Sequence, residues 1–160
     1  MTQFSKEVLT STLMGTDKNA KKEMLMYIAE HRYQISLPLL YPLLKDEDRQ
    51  IRAITAFALG KIGDQSTIPF LSEAWFQTAN EERHLKRQIL IALSDIATFE
   101  RLIPLFKNFK DWSEEDKMLA VDCFESDLAQ LLDYEIDSET KYQVINYLLK
   151  GEINSGTRIK

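Results

Sequence analysis

Side chains at Ile51, Ile54, Thr55, Ala58, Leu59 and Ile62 recur at steps of three and four. That spacing predicts an amphipathic helix over 48–62 with a continuous buried stripe. Asp48 stands where a cap is needed at its start, and Gly63 is expected to end it in the left-handed conformation. Asp64 and Ser66 then offer caps for a second helix beginning with Ser66-Thr67-Ile68-Pro69, with Pro69 in the first turn, where a missing N–H does little harm.

The same unit returns along the chain. Leu37-Pro38-Leu39-Leu40, Ile68-Pro69-Phe70-Leu71 and Ile103-Pro104-Leu105-Phe106 align on the proline. Each follows an apolar anchor: Ile28, Leu59 and Leu93. A basic residue precedes every anchor at one constant offset, pairing Lys21 with Ile28, Arg52 with Leu59 and Lys86 with Leu93. Weaker copies add Lys117 with Phe124 and Lys141 with Leu148. Upstream of each basic residue, again at one offset, stand Gly15, Asp46, Asn80, Asp111 and Glu135. An acid in one turn and a base on the first turn of the next helix can meet the matching pair of a neighbouring copy. Exposed ion pairs are worth only about 0–1 kcal/mol each. Their expected role is to set the register of a stack whose stability comes from buried leucine and isoleucine.

The periodicity predicts helices at 3–14, 17–31, 35–45, 48–62, 66–78, 81–97, 99–109, 113–125, 126–134 and 137–150. No linker interrupts them, so a single domain over 1–150 is expected, and 151–160, without apolar periodicity, is expected to be a flexible tail.

Composition changes little in this picture. With 44% hydrophobic and 28% charged residues the chain has the make-up of a folded protein, and 5 Gly with 4 Pro is few for an all-β fold. A net charge of −5 disfavours binding dominated by a nucleic-acid backbone. The single cysteine, Cys123, cannot form an internal disulfide and fits a reducing compartment. No signal peptide and no membrane span are expected, which places the chain in the cytoplasm.

Asp46, Arg52, the segment Ala58-Leu59-Gly60-Lys61-Ile62-Gly63-Asp64 and Ile68-Pro69-Phe70-Leu71 resemble a HEAT-like repeat, of the short subtype first noted in phycobilisome lyases. The likeness is most specific over 46–71, extends to 80–106, and thins at both ends, as terminal copies of a repeat do. It implies an all-α, right-handed α-solenoid of about four to five antiparallel helix pairs. It also implies that the helices opening with the basic residue (17–31, 48–62, 81–97, 113–125 and 137–150) line the concave side. The function implied is protein binding, as an adaptor or scaffold. Arg49, Arg52, Arg83, Lys86 and Arg87 are the expected partner-binding residues. Asp46, Arg52, Asn80, Lys86, Asp111, Lys117, Glu135 and Lys141 are the expected inter-repeat ladder. The alternatives are an accessory or catalytic subunit for attaching or removing a bilin, or a phycobilisome-related factor, and nucleic-acid binding through a basic stripe made by Arg49, Arg52 and the helix 81–87.

No catalytic constellation or cofactor site is expected. Some HEAT-like proteins resemble di-iron hydroxylases with repeated His-Glu pairs, but only His31 and His84 occur here, and neither is followed by Glu. Cys123, beside Phe124 in an apolar run, is expected to pack as a small hydrophobe. Gly60-Lys61-Ile62-Gly63 lacks the spacing and the ending of a phosphate loop. Trp75, Phe76, Tyr27 and Trp112 are expected to pack between helices, and any that is exposed becomes an interface anchor.

Overall fold

The computed structural model describes the backbone of residues 4–134 and 136–159, and the side-chain surroundings of these except at 99, 125, 126 and 151–159. Every regular element among the described residues is helical, which is the all-α class expected. Contacts cluster into two compact units, Met1–Ile96 and Ala97–Lys160, whereas the periodicity had suggested one domain over 1–150.

In the first unit, α1 (Lys6–Met14), α2 (Lys18–His31), α3 (Arg49–Ile62), α4 (Ile68–Gln77) and α5 (Arg83–Ile96) form two layers. Helices α2, α3 and α5 pack side by side with α3 in the middle; α1, a 3-10 turn at Tyr41–Lys45 and α4 back them. The N-termini follow the expected chemistry. Asp17 accepts from Ala20 N at 3.1 Å, and Asp48 accepts from Gln50 N at 2.8 Å and Ile51 N at 3.3 Å. Such caps contribute about 1 kcal/mol each. Leu25, Ile28, Ile51, Leu59, Leu71, Ile89, Leu90 and Leu93 are completely buried between the layers, each contributing about 1.5–3 kcal/mol.

Gly60 in α3 and Gly63 just past its end have steric causes. A Cβ on Gly60 would lie 3.0 Å from Ala92 Cα and 3.1 Å from Ala92 Cβ, so the glycine lets α3 and α5 approach at their backbones. Gly63 corrects the sequence reading. Its backbone is extended (φ −70°, ψ 167°), not left-handed, and glycine is needed because a Cβ would stand 2.4 Å from Leu59 O. The left-handed turn occurs instead at Arg32 (φ 48°, ψ 45°), which ends α2 with Tyr33 N donating to Ile28 O at 3.0 Å.

The helix expected at 35–45 is two 3-10 turns, Leu37–Leu39 and Tyr41–Lys45, each with a proline in its first positions. Pro42 is the cause. Inside a continuous α-helix its ring would strike the carbonyl four residues earlier and its missing N–H would break the ladder.

The second unit holds α6 (Phe99–Phe106), a 3-10 turn at Phe109–Asp111, α7 (Glu114–Gln130), a 3-10 turn at Leu131–Asp133, and α8 (Ser138–Ile159). Pro104 lies inside α6 and not at its start. The helices expected at 113–125 and 126–134 are two helical stretches of α7 that meet at a kink at Phe124 (φ −130°, ψ 23°), next to the expected boundary. Helix α8 continues to Ile159, past the expected end at 150. Phe106 centres an aromatic cluster, with ring centroids 5.4 Å from Phe124, 5.7 Å from Trp112 and 6.4 Å from Phe109. Asp137 opens α8 by accepting from Thr140 N at 2.7 Å and from its hydroxyl at 2.8 Å.

Candidate interaction face

The row α2–α3–α5 buries one side of each helix and leaves another side uncovered. On α3 the uncovered stripe is Gln50, Ile54, Phe57 and Lys61, at helical spacing. On α2 it includes Lys22, Met26 and Glu30; on α5, His84, Gln88 and Ile91. Met26, Ile54, Phe57 and Ile91 are half-buried, so an apolar band runs across the middle of the face.

Three depressions lie along this band. The largest, about 480 Å³, is lined by Arg49, Gln50, Ala53 and Ile54 on one side and by Glu81 through Leu85 on the other. A second, of about 240 Å³, shares Ala53, Ile54 and His84 with it and adds Met26, Phe57 and Gln88. A third, of about 410 Å³ on α2, shares Met26. The common residues make one continuous groove.

Polar links clip both edges of the row. At the N-terminal edge, Lys21 Nζ lies 3.4 Å from Asp46 Oδ2, and Lys22 Nζ donates to Gln50 Oε1 at 2.6 Å and lies 3.4 Å from Asp48 Oδ2. Arg52 donates to Asp46 O at 2.8 Å and pairs with Glu82 through its other Nη. At the C-terminal edge, Arg32 Nη1 donates to Lys61 O at 3.1 Å and Gln65 Nε2 to Ile96 O at 2.8 Å. Each of these side chains satisfies a carbonyl that a helix end leaves without a partner. Burial pushes the Asp48 carboxyl up, but the N–H groups of Gln50 and Ile51 and the charge of Lys22 outweigh it and hold its pKa below the ordinary aspartate value.

The expected site residues divide on this geometry. Arg49 is exposed, lines the largest cleft and has no ion pair among the described residues. Arg83 lines the same cleft and donates to Asn80 O at 3.3 Å; Arg87 is exposed a turn further on. Arg52 is half-buried and engaged between Asp46 and Glu82, so the Asn80 expected as its partner is displaced by Glu82. Lys86, expected on the binding face, is only 4% exposed. It donates to Asn80 Oδ1 at 3.2 Å and lies 4.3 Å from the ring centroid of Trp75. That position withdraws it from any partner surface.

In the second unit Lys117 is likewise buried, donating to Gln143 Oε1 at 3.2 Å with its ammonium 5.2 Å from the Tyr147 ring. Asp111 is exposed and Lys141 half-buried; Glu135 lies outside the described residues. Sequence reasoning assigned Ile54 to the buried stripe and passed over Met26, Phe57 and Ile91. The available signal was a second apolar stripe on α3, Ile54 with Phe57, beside the core stripe of Ile51, Thr55, Ala58 and Leu59.

Of the aromatic candidates, Trp75 is buried under Lys86, and Trp112 packs 5.3 Å from Phe109. Tyr27 stacks on His31 at 4.3 Å. Phe76, 56% exposed, is on α4, in the backing layer. Cys123 is half-buried on α7. Among the described residues no group of three or more His, Cys, Asp or Glu side chains is placed to hold a metal, and no helix is long and apolar enough to cross a membrane.

A family model described as HEAT repeats matches residues 7–93 and, in a second placement, 37–123. No curated protein matches the chain.

Proposed function

Because the chain belongs to the HEAT-repeat family, we propose that it is a non-catalytic protein-binding module, an adaptor or scaffold, whose binding face is the row α2–α3–α5. HEAT repeats commonly mediate protein–protein interaction. The observation that carries the reading is the apolar band of Met26, Ile54, Phe57 and Ile91, left half-covered between two polar edges. Covering such surface is favourable by roughly 25 cal/mol per Å², and an apolar centre with a polar rim is how protein interfaces are built. Arg49 and Arg87, exposed beside the band, are of the residue type that anchors interfaces.

A photo-crosslinking residue placed at Phe57 tests this, with a second at Gln77, an exposed polar position of α4 on the backing layer. In extract of the native host the first is expected to trap discrete protein species that the second does not trap. Equal trapping at both positions, or none at either, counts against the face.

The likeness of 46–71 to the phycobilisome-lyase subtype supports a bilin-related accessory role as the competing reading. Mixing the purified chain with free bilin separates the two, since a change in bilin absorbance supports the second and an unchanged spectrum the first.

A further inference from the structure

Tyr142, Ile145 and Leu149 of α8 are 63%, 44% and 54% exposed, and their spacing puts all three on one face of the helix. We infer that this stripe pairs with the same stripe of a second copy of the chain across a two-fold axis. The inference concerns a different surface from the α2–α3–α5 band and does not depend on it.

The repeat register says what such a face does. Asp17, Asp48 and Asp137 accept from the first N–H groups of α2, α3 and α8, and Lys21, Arg52 and Lys141 follow these caps at one constant offset. Counted from the cap, Tyr142 corresponds to Lys22 and Ala53, Ile145 to Leu25 and Ala56, and Leu149 to Ala29 and Gly60. In α2 and α3 these positions face the next helix of the row. Lys22 reaches Gln50 and Asp48 at the start of α3. Ala53 lines the cleft shared with the start of α5, and Gly60 lies against the backbone of Ala92. Leu25, Ala29, Ala53 and Ala56 are buried there as a result. The α8 stripe is therefore a stacking face, and it stands open. A terminal repeat that stays in water presents a polar face, whereas these three positions carry no charge and two are purely aliphatic.

The second copy is named by what the chain itself can offer. In α5 the position that receives the preceding helix is Ala92. Its counterpart in α2, at the same offset from the basic residue, is Tyr27. Tyr27 is already enclosed by the rings of Phe4, His31 and Tyr33, with centroids at 4.9, 4.3 and 6.0 Å. A head-to-tail stack of copies thus meets an occupied face. The α8 stripe, by contrast, is free and its own complement. With two α8 helices antiparallel, Ile145 lies at the axis and Tyr142 comes beside Leu149 of the partner subunit, so apolar side chains meet apolar ones. Pairing of this isologous kind closes at two copies. Covering the stripe is favourable by roughly 25 cal/mol per Å², and a contact of one helix on one helix is small for an interface, so the dimer is expected to dissociate on dilution.

Sedimentation velocity on the full chain, over about two decades of micromolar concentration, is expected to show monomer and dimer and nothing larger. Ile145→Asp puts like charges together at the axis and Leu149→Glu puts one against Tyr142. Each should raise the concentration for half-dimerisation at least about tenfold while leaving the melting curve of the dilute protein unchanged, because both positions are exposed in the single chain. In a Cys123→Ser background, Ile145→Cys is expected to give a disulfide-linked dimer on air oxidation, and Phe57→Cys is not. A monomer at every concentration overturns the assignment, as do species larger than a dimer, a dimer indifferent to both acidic substitutions, or one that links through Phe57→Cys instead. Trapping of host proteins at Phe57 is read separately, so either surface can fail without the other.

Discussion

Both compact units place cations at the same repeat position, and Lys21 and Arg52 of the first are treated differently from Lys117 of the second. In the first unit, Lys21 and Arg52 keep partial access to water and reach carboxylates of the following copy, Asp46 and Glu82. In the second, Lys117 is 7% exposed and is held by the amide oxygen of Gln143 above aromatic rings. Lys86, at the same repeat position in the first unit, is also buried, with its ammonium 3.2 Å from Asn80 Oδ1 and 4.3 Å from the Trp75 ring centroid. An edge exposed to water can be aligned by weak ion pairs, because both charges stay solvated. A cation taken out of water needs a dipole and a ring face around it. One repeat position thus carries two kinds of interaction, and burial decides which.

Replacing Phe106 by Ala, at the centre of the aromatic cluster, should have the largest effect, a loss of about 3–5 kcal/mol in urea unfolding. A loss near zero would mean that the rings of the second unit contribute no packing. Gly60→Leu should cost about 1–3 kcal/mol through overpacking against Ala92. A neutral result would show that α3 and α5 can separate freely.

The buried Lys117 gives a finer discrimination. Lys117→Ala should cost about 2 kcal/mol through the lost stem packing, whereas Lys117→Met should stay within about 1 kcal/mol, since the stem is kept and the desolvated charge removed. A Met variant as damaging as the Ala variant would make the charge itself the stabilising element. In the backing layer, Lys45→Met breaks the exposed pair with Glu73 and should change stability by no more than about 0.5 kcal/mol.

The shallowest effect is the pH dependence. Hydrogen bonds from Ser66 to Asp64 and from Thr140 to Asp137 hold both carboxyls below the ordinary aspartate value. Because the folded pKa values are depressed, their contribution is complete above about pH 4 and is lost as the pH falls through the folded values. NMR titration should find both midpoints below that of an unfolded-chain aspartate, and midpoints at or above it would contradict the capping geometry.

The helical layers were legible in the sequence because caps and apolar steps act locally: Asp48, Asp17 and the Ile51–Leu59 stripe needed no knowledge of their neighbours. The spacing of Lys21, Arg52, Lys86 and Lys117 is plain in the sequence, but their burial is not. The partner of a cation depends on which copy packs against it, so Glu82 could not be preferred to Asn80 from spacing alone. Pro42 was a local signal passed over, and it turned an expected helix into two 3-10 turns. The proposed binding face was half legible. Its exposed arginines stand out in sequence, while Ile54 was assigned to the core because only packing separates it from Ile51.

The central claim is that this half-covered apolar band binds a protein while adding little to the fold. Ile54→Asp, made in the full chain and measured by melting temperature and by capture of the species crosslinked at Phe57, addresses both halves together. The account predicts a melting temperature within a few degrees of native and loss of capture. Undiminished capture, or a chain that no longer folds, would contradict it.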